Sequence, residues 1–228
     1  EMSFDDLSDR VKGEPGSEVT LTILREGVQQ KYTLQREEVQ TPGVKAQMLE
    51  GNIGLIRIES FSKNVDQEFS QKLQQLLDDG AQALVFDVRF NPGGFVDVLV
   101  NMLDELLPKG TVISITDEEC VKLPMAVLCN EYSISAAEFF AASLQEYGVA
   151  TVVGEHTLGK GYAQTMIPLT GGGALNLSTS RYYTAKGVSL AGVGITPDVE
   201  SSLSEDKLNR FYTLQPEEDD QLQKALEV

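Results

Sequence analysis

The sequence has 228 residues, of which 41% are hydrophobic, and its formal net charge at pH 7 is −17. This length allows one large domain, or a core with a small appendage, and the negative charge disfavours nucleic acid and anionic lipid as partners. No apolar run approaches the roughly 20 residues that a membrane-spanning helix needs. Two cysteines and one histidine are too few for a convincing zinc site.

The N-terminal residues 1–38 are expected to form the last part of a small β-rich domain. A short helical pattern ends at GEPG (13–16), which breaks helices. Two strands follow, at 19–24 and 32–34, on either side of a turn. These elements are too few for an independent domain, so we expect them to close a larger one that begins upstream.

The central part of the chain, 39–200, alternates strands and helices. Apolar runs of strand length occur at 53–58, 83–88 and 125–129, and a helical apolar stripe follows each of them. This alternation predicts a layered α/β fold with a largely buried sheet. Residues 201–228 are expected to form a helical tail.

Two further features concern the tail and the thiols. The acidic run EEDD (217–220) is interpreted as the start of a C-terminal helix, whose dipole favours negative charge there.

Cys129 ends an apolar run and is expected to be a buried, inert thiol. A disulfide between Cys120 and Cys129 stays open as an alternative.

Two strands run directly into turns that open helices, at 91–94 and at 130–135. Open α/β sheets bind ligands beyond the carboxyl ends of their strands. The first N–H groups of a helix have no partner within the helix. Two such junctions side by side would each offer one N–H group to a developing oxyanion.

Few side chains could act as the general base, because His156 is the only histidine in the sequence. A Ser-His-Asp triad would have to use it, yet it lies in a polar turn, and the chain has no G-x-S-x-G elbow. A neutral lysine can activate a serine instead. Such a lysine must be desolvated, because a solvated amine stays protonated at neutral pH. Lys160, between two glycines, is the candidate, although G-K-G alone is a weak signal.

Four segments together carry a more specific pattern. NEYSISAAE (130–138) is similar to N-x-x-S-x-S-A-x-E, and GEHTLGKGYAQ (154–164) to G-E-x-T-x-G-K-G-x-x-Q. DVRFNPGG (87–94) matches D-x-R-x-N-x-G-G, and GITPD (194–198) matches G-[VI]-x-P-D. The combination resembles the catalytic region of the C-terminal processing peptidases, also called tail-specific proteases.

This resemblance implies that Ser135 is the nucleophile and Lys160 the general base, 25 residues later as in the family. Gln164 matches the glutamine that orients the lysine. Ser133 is the competing serine, but its distance from Lys160 along the chain does not match the family's. If Lys160 is a base, we expect it to lie against apolar atoms beside Ser135, with Glu155 pointing away from it.

The resemblance also implies an oxyanion hole. Its donors would be the backbone N–H of Ala136, directly after the nucleophile, and that of Gly94. The neighbouring Gly93 remains an alternative donor.

The resemblance covers about residues 1–200. It implies a crotonase/ClpP-like layered peptidase core preceded by the C-terminal part of a PDZ-like domain, whose tail-binding loop would lie before Glu1. The implied activity is that of a serine endopeptidase that cleaves protein substrates recognised near apolar C-terminal tails, without a cofactor. The implied location is extracytoplasmic, in the periplasm or cell envelope or secreted, and a homo-oligomer stays open.

One departure and two rival functions remain. The interval between Gly94 and Ser135 is shorter than in the family, and the shortage falls near 116–121. One rival is a binding module that kept the fold and lost the dyad, although Ser135 and Lys160 both remain here. The other is a crotonase-like acyl-CoA enzyme, in which a serine-lysine pair at this spacing has no role.

Overall fold

The computed structural model describes residues 7, 10–25, 27–37, 42–108, 120–184 and 186–228. The chain divides into two compact units, Glu1–Thr41 and Pro42–Val228. The predicted domain boundary after residue 38 lies outside the described residues, as does most of the shortened stretch near 116–121.

The first unit contains an antiparallel hairpin of β1 (Glu18–Arg25) and β2 (Val28–Gln35). Leu7, Arg10 and Val11, before it, are helical. The guanidinium of Arg36 joins the two parts, since it donates to the backbone carbonyls of Arg10 and Val11 at 3.1 and 2.8 Å. A helical end followed by a hairpin is the order that the sequence predicts, and the PDZ-like assignment stays a prediction.

The second unit is built on a sheet of six strands. Its strands are β3 (Val44–Leu49), β4 (Ile53–Ile58), β5 (Ala83–Asp87), β6 (Met125–Cys129), β7 (Ala150–Gly154) and β10 (Val199–Glu200). Their order is β10-β7-β6-β5-β4-β3, and all neighbours are parallel except β3, which runs antiparallel at one edge. Between β7 and β10, β8 (Tyr162–Pro168) and β9 (Ala174–Arg181) form a separate antiparallel hairpin. This parallel-dominated sheet with its helices confirms the predicted α/β fold class.

Three helices cover one face of the sheet: α1 (Val65–Asp78), α2 (Val96–Leu106) and α3 (Ala136–Glu146). The main core lies between them and the strands. At its centre the fully buried rings of Phe61 and Phe86 lie 5.9 and 5.6 Å from that of Phe140 in α3. Burial of such rings is the principal stabilising contribution, at about 25 cal/mol per Å² of apolar surface.

The opposite face of the sheet is covered by the C-terminal tail. After α4 (Glu205–Asn209) and two short 3-10 turns, α5 (Asp220–Ala225) packs Leu222 and Ala225 against Leu55, Val85 and Leu128 of the sheet. The tail is therefore part of the second unit. Because both faces are buried, the central strands have continuous rather than alternating apolar sequences.

Both cysteines are free thiols, so the alternative disulfide is not formed. Burial raises the pKa of Cys129 to about 12, which agrees with the inert thiol expected from the sequence, and Cys120 is half-buried. Within the described ranges, no helix is both long and apolar enough to cross a bilayer.

Candidate active site

A cleft of about 470 Å³ lies beyond the carboxyl ends of β5 and β6. Its lining residues are Pro92, Gly93, Gly94, Phe95, Ser135, Lys160, Tyr162, Ala163, Gln164 and Tyr182. Four predicted site residues therefore meet in one cleft: Ser135, Lys160, Gln164 and Gly94. The fifth, Ala136, is 4% exposed and begins α3 directly after Ser135.

Ser135 occupies a strained turn at the N-terminus of α3. Its φ and ψ are 59° and −115°, a conformation that residues with a Cβ rarely adopt and that persists only where the surroundings enforce it. A sharp strand-to-helix turn of this kind exposes the nucleophile of α/β-hydrolases. Here the turn lacks the G-x-S-x-G sequence, so that motif could not have revealed it.

Glu138, which our sequence analysis did not single out, joins the two segments of the site. Its buried carboxylate accepts hydrogen bonds from the backbone N–H groups of Ser135 and Lys160 at 2.9 and 2.8 Å. It also accepts from Gly159 N–H and from the Thr157 hydroxyl, both at 2.6 Å. The only sequence signal was its position at the end of the 130–138 motif, in the first turn of an otherwise apolar helix.

The loop from β5 to α2 lies against the Ser135 turn at Gly93. A Cβ atom at Gly93 would lie 2.8 Å from Ser135 Cβ and 3.0 Å from Ala136 N, so only glycine fits. Gly93 N–H donates to Asn91 Oδ1 at 2.8 Å. Within the described part of the chain, the N–H groups of Gly94 and Ala136 have no acceptor. This geometry favours Gly94 over Gly93 as an anion-binding donor.

Ser133, the competing serine, is fully buried. Its hydroxyl donates to Val88 carbonyl oxygen at 2.8 Å and accepts from Asn130 N–H at 3.0 Å. Because its proton is already engaged and no substrate can reach it, this placement argues against Ser133 as a nucleophile.

Lys160 is exposed, whereas a lysine that acts as a base is expected to be desolvated. Its backbone is fixed by Glu138, and a Cβ at the adjacent Gly159 would lie 2.8 Å from the backbone nitrogens of Val193 and Gly194. Among the described contacts, however, Nζ forms no hydrogen bond or ion pair, including none with Ser135. Three residues of the β8–β9 hairpin, Tyr162, Ala163 and Gln164, line the same cleft as Lys160.

Gln164 lies on β8, directly after a bulge between Ala163 and Gln164. Its side chain is exposed, and Oε1 accepts a hydrogen bond from Asn176 Nδ2 at 3.3 Å. The predicted contact with Lys160 is therefore absent from the described contacts. Bulges change the direction of side chains, which the sequence pattern did not indicate.

The remaining polar side chains of this region point elsewhere. His156 is exposed, and its Nε2 lies 2.5 Å from Val193 carbonyl oxygen, outside the cleft lining. Burial and the nearby Glu131 raise the pKa of Glu155. No ion pair joins Glu155 to Lys160 in the described part, as expected. Among the same residues no three His, Cys, Asp or Glu side chains could hold a metal ion.

A buried charge network lies beneath the loop that carries Gly94. Asp87 forms ion pairs with Arg57 and Arg89 at 2.7 and 2.8 Å, and Arg89 forms one with Asp219 at 2.7 Å. Burial raises the pKa of Asp87, but the two arginines outweigh it and hold the value at about 2. The acidic run does lie at a helix start, as predicted, because Asp219 is the N-cap of α5 and its side chain accepts from Leu222 N–H at 3.0 Å. Helix-dipole complementarity alone was too simple an interpretation of this residue, because it is also a buried ion-pair partner.

Comparisons with known proteins agree with the motif pattern. The model of peptidase family S41 matches residues 52–201. The carboxy-terminal-processing protease of Bartonella bacilliformis is 34% identical over 222 residues, covering 87% of this chain and 50% of the relative. The carboxyl-terminal-processing protease of Synechocystis sp. is 31% identical over 245 residues, covering all of this chain and 57% of the relative. The chain thus spans about half the length of these curated relatives.

Solved structures have the same fold. The photosystem II D1 C-terminal processing protease superposes with a TM-score of 0.63 at 26% identity, covering 88% of this chain and 60% of that one. The tricorn protease superposes with a TM-score of 0.60 at 20% identity, covering 93% of this chain and 22% of that one, which shows the fold alone.

Proposed function

Because this chain belongs to peptidase family S41, we propose that it carries the catalytic core of a serine endopeptidase in which Ser135 is the nucleophile and Lys160 the general base. The observation that carries the proposal is the strained Ser135 turn, which opens into a cleft shared with Lys160 and Gly94. A strained residue with a Cβ persists at a helix start only where the surrounding structure enforces it.

The proposed reaction has two steps. Ser135 Oγ attacks the scissile carbonyl carbon while neutral Lys160 takes its proton, and the lysine then gives that proton to the leaving amine. Water hydrolyses the acyl-enzyme. The negative charge on the carbonyl oxygen is stabilised by the N–H groups of Gly94 and Ala136, which have no acceptor in the described structure.

The exposure of Lys160 adds a condition to this mechanism. A solvated amine is a poor base because it stays protonated, so the lysine must lose contact with water before it can act. We propose that a bound polypeptide covers the open side of the cleft and provides this desolvation. Gln164 would orient Lys160 by accepting from Nζ with its amide oxygen, which already accepts from Asn176 and has a second lone pair.

The lining of the cleft supports a preference for protein substrates with apolar tails. Apolar and aromatic side chains of Pro92, Phe95, Tyr162 and Tyr182 line it, and the acidic chain offers little to an acidic tail. We therefore propose preferential cleavage of proteins ending in small or apolar residues, by an extracytoplasmic enzyme that contains a PDZ-like domain. Equal cleavage of otherwise identical substrates ending in Ala-Ala and Asp-Asp would contradict this preference.

A serine-directed fluorophosphonate tests the assignment. We expect one adduct, located on Ser135 by peptide mapping, and no adduct in Ser135→Ala. Labelling should persist in EDTA, because no step needs a metal. An adduct elsewhere would refute the nucleophile. Failure of the folded chain to react would favour the non-catalytic binding module, and activity lost in EDTA and restored by zinc would refute the mechanism.

A further inference from the structure

The C-terminal tail contacts the loop between β5 and α2 through buried charges. Arg89, at 3% exposure, donates from Nη1 and Nη2 to the two carboxylate oxygens of Asp219 at 2.9 and 2.7 Å. Its Nε and Nη2 donate to the two oxygens of Asp87 at 2.9 and 2.8 Å. Gln221 of the tail accepts a further bond from Arg89 Nη1 at 3.0 Å. The guanidinium is thus held bidentately from both sides, the strongest arrangement for such a group.

The charges of the buried cluster sum to zero only when Asp219 of the tail is included. Arg57 and Arg89 carry two positive charges, and Asp87 and Asp219 carry two negative ones. Without the Asp219 carboxylate, two guanidinium groups would share one buried acid. Breaking a buried pair on one side is costly because it leaves an uncompensated charge.

An aromatic contact connects the tail to the same loop independently. The Phe211 ring packs on the guanidinium groups of Arg57 and Arg89, at 4.5 and 4.7 Å from its centroid. It also lies 4.6 Å from the ring of Phe90, which stacks on Tyr132 at 5.2 Å. Phe90 has a φ of 60°, a conformation that such a residue keeps only when its neighbours hold it.

From Arg89 and Phe90 the loop continues to the proposed oxyanion donor. Asn91 anchors it, because its side chain donates to Ile58 carbonyl oxygen at 2.7 Å and accepts from Gly93 N–H at 2.8 Å. The Asn91 carbonyl accepts from Ile134 N–H, next to Ser135, at 2.9 Å. A shift at Arg89 or Phe90 therefore changes where Gly94 N–H lies relative to Ser135.

We propose that Asp219 is a positioning residue for catalysis: through Arg89 and together with Phe211, the C-terminal tail fixes the loop that presents Gly94 to the oxyanion. This inference rests on the proposed function. Asp219 is not among the residues that line the cleft, and its carboxylate accepts from Arg89, so it acts through Arg89 and touches no substrate. Misplacement of a catalytic group by about 1 Å can cost about 10²-fold in rate.

The test compares Asp219→Asn with Asp220→Asn. The next residue, Asp220, has a side chain 56% exposed, and its one ion-pair partner among the described residues is Lys207 at the surface, so its variant should match the wild type. Asp219→Asn should slow the second-order phosphonylation of Ser135 by about tenfold or more per folded molecule, and lower kcat with KM changed by less than about twofold. Far-UV circular dichroism, recorded below the unfolding transition, measures the folded fraction by which each rate is divided.

Phe211→Leu provides a second route if Asp219→Asn does not fold. It keeps an apolar side chain but loses the ring contact with Phe90, and it should also slow phosphonylation at unchanged KM. Wild-type rates in a folded Asp219→Asn, or in Phe211→Leu, would overturn the positioning role and make the tail structural only. A wild-type chain that does not react at Ser135 would instead overturn the proposed function.

Discussion

Glu138 is one side chain that holds both segments of the candidate active site. Its two carboxylate oxygens accept four hydrogen bonds, and two of the donors are the backbone N–H groups of Ser135 and Lys160. A carboxylate accepts only, whereas a carboxamide must turn an NH₂ group towards some of these donors. Glutamine has nearly the same shape as Glu138, but it cannot accept all four of these hydrogen bonds.

Glu138→Gln should accordingly reduce kcat by about tenfold or more and also destabilise the fold. Hydrogen bonds to a charged group contribute about 1.5–3 kcal/mol each, and about 1 kcal/mol lowers Tm by about 2–4 °C in a chain of this size. Thermal unfolding and peptidase assays measure both effects. Glu131→Gln, an exposed substitution next to the Ser135 turn, is the control. A fully active Glu138→Gln would show that the two segments need no common anchor.

Lys160 is exposed in this structure, so variants of this residue test the general-base assignment directly. Lys160→Arg should be inactive, since guanidinium stays protonated. The Ser135→Ala, Lys160→Ala double variant should be little worse than either single one, because the two residues act together.

His156→Ala is the matched control for the lysine variants. His156 contacts Val193 rather than the cleft, so most activity should remain. If His156→Ala is inactive while Lys160→Ala still turns over, the dyad is wrong and a histidine mechanism must replace it.

The two thiols should differ in reactivity for reasons of burial. Cys129 is fully buried and its pKa is raised to about 12, so it forms almost no thiolate at neutral pH, and the thiolate is the reactive form. In the native protein, Ellman's reagent should therefore modify at most one thiol, Cys120, and both after denaturation. Rapid modification of Cys129 in the native state would contradict the burial of this residue at the end of β6.

At the scale of elements, the candidate active site is a contact between two loops that leave adjacent parallel strands. The β5–α2 loop and the β6–α3 turn meet at Gly93, where a Cβ would overlap Ser135. Parallel strands bring their carboxyl ends to one edge of the sheet, so a sequence can predict that the loops are neighbours. Their contact distance depends on side chains and backbone angles that the sequence pattern does not encode.

Substitution of Gly93 by alanine tests that contact. Gly93 has a φ of +90°, and Gly80 has a φ of +89° with open space within 4 Å of the position that a Cβ would take, so both alanine variants carry the same backbone strain. That strain costs about 1–2 kcal/mol. In Gly80→Ala, the free energy of unfolding measured in urea should fall by this amount alone, and activity should be fully kept. Gly93→Ala should be less stable still and largely inactive; equal stabilities would mean that the two loops do not touch.

At the scale of the whole molecule, the buried cluster of Arg57, Asp87, Arg89 and Asp219 connects the sheet to the tail. The pKa of Asp87 is lowered from 3.8 to about 2 in the folded state. Because the folded value lies below the unfolded one, the stabilisation is fully present above about pH 4 and is lost as the pH falls towards 2. The shift corresponds to about 2 kcal/mol.

Urea unfolding between pH 5 and pH 2 measures this contribution. The wild-type free energy of unfolding should fall by about 2 kcal/mol more than that of Asp87→Asn over this range, because the amide does not titrate. The variant should start from a lower stability, since it leaves two buried guanidinium groups with one acid. Parallel pH profiles for the two proteins would contradict the assignment to Asp87.

The sequence by itself determined the α/β architecture and which residues line the cleft. Continuous apolar runs at 83–88 and 125–129 predict a sheet buried on both faces, because strands covered on each side have no polar alternation. Motif order then places Ser135 and Gly94 after neighbouring strands, and parallel strands deliver such residues to one edge. These inferences depend on local pattern and on general rules of chain geometry.

The tertiary structure alone decided which groups touch. Asp219 meets Arg89 across 130 residues, Glu138 anchors Lys160 from a different element, and the bulge in β8 directs Gln164 towards Asn176. The solvation of Lys160 also depends on what covers the cleft, which no local pattern contains. Hydrogen bonds and desolvation act over a few ångströms in space, so their partners are fixed only when distant segments have packed together.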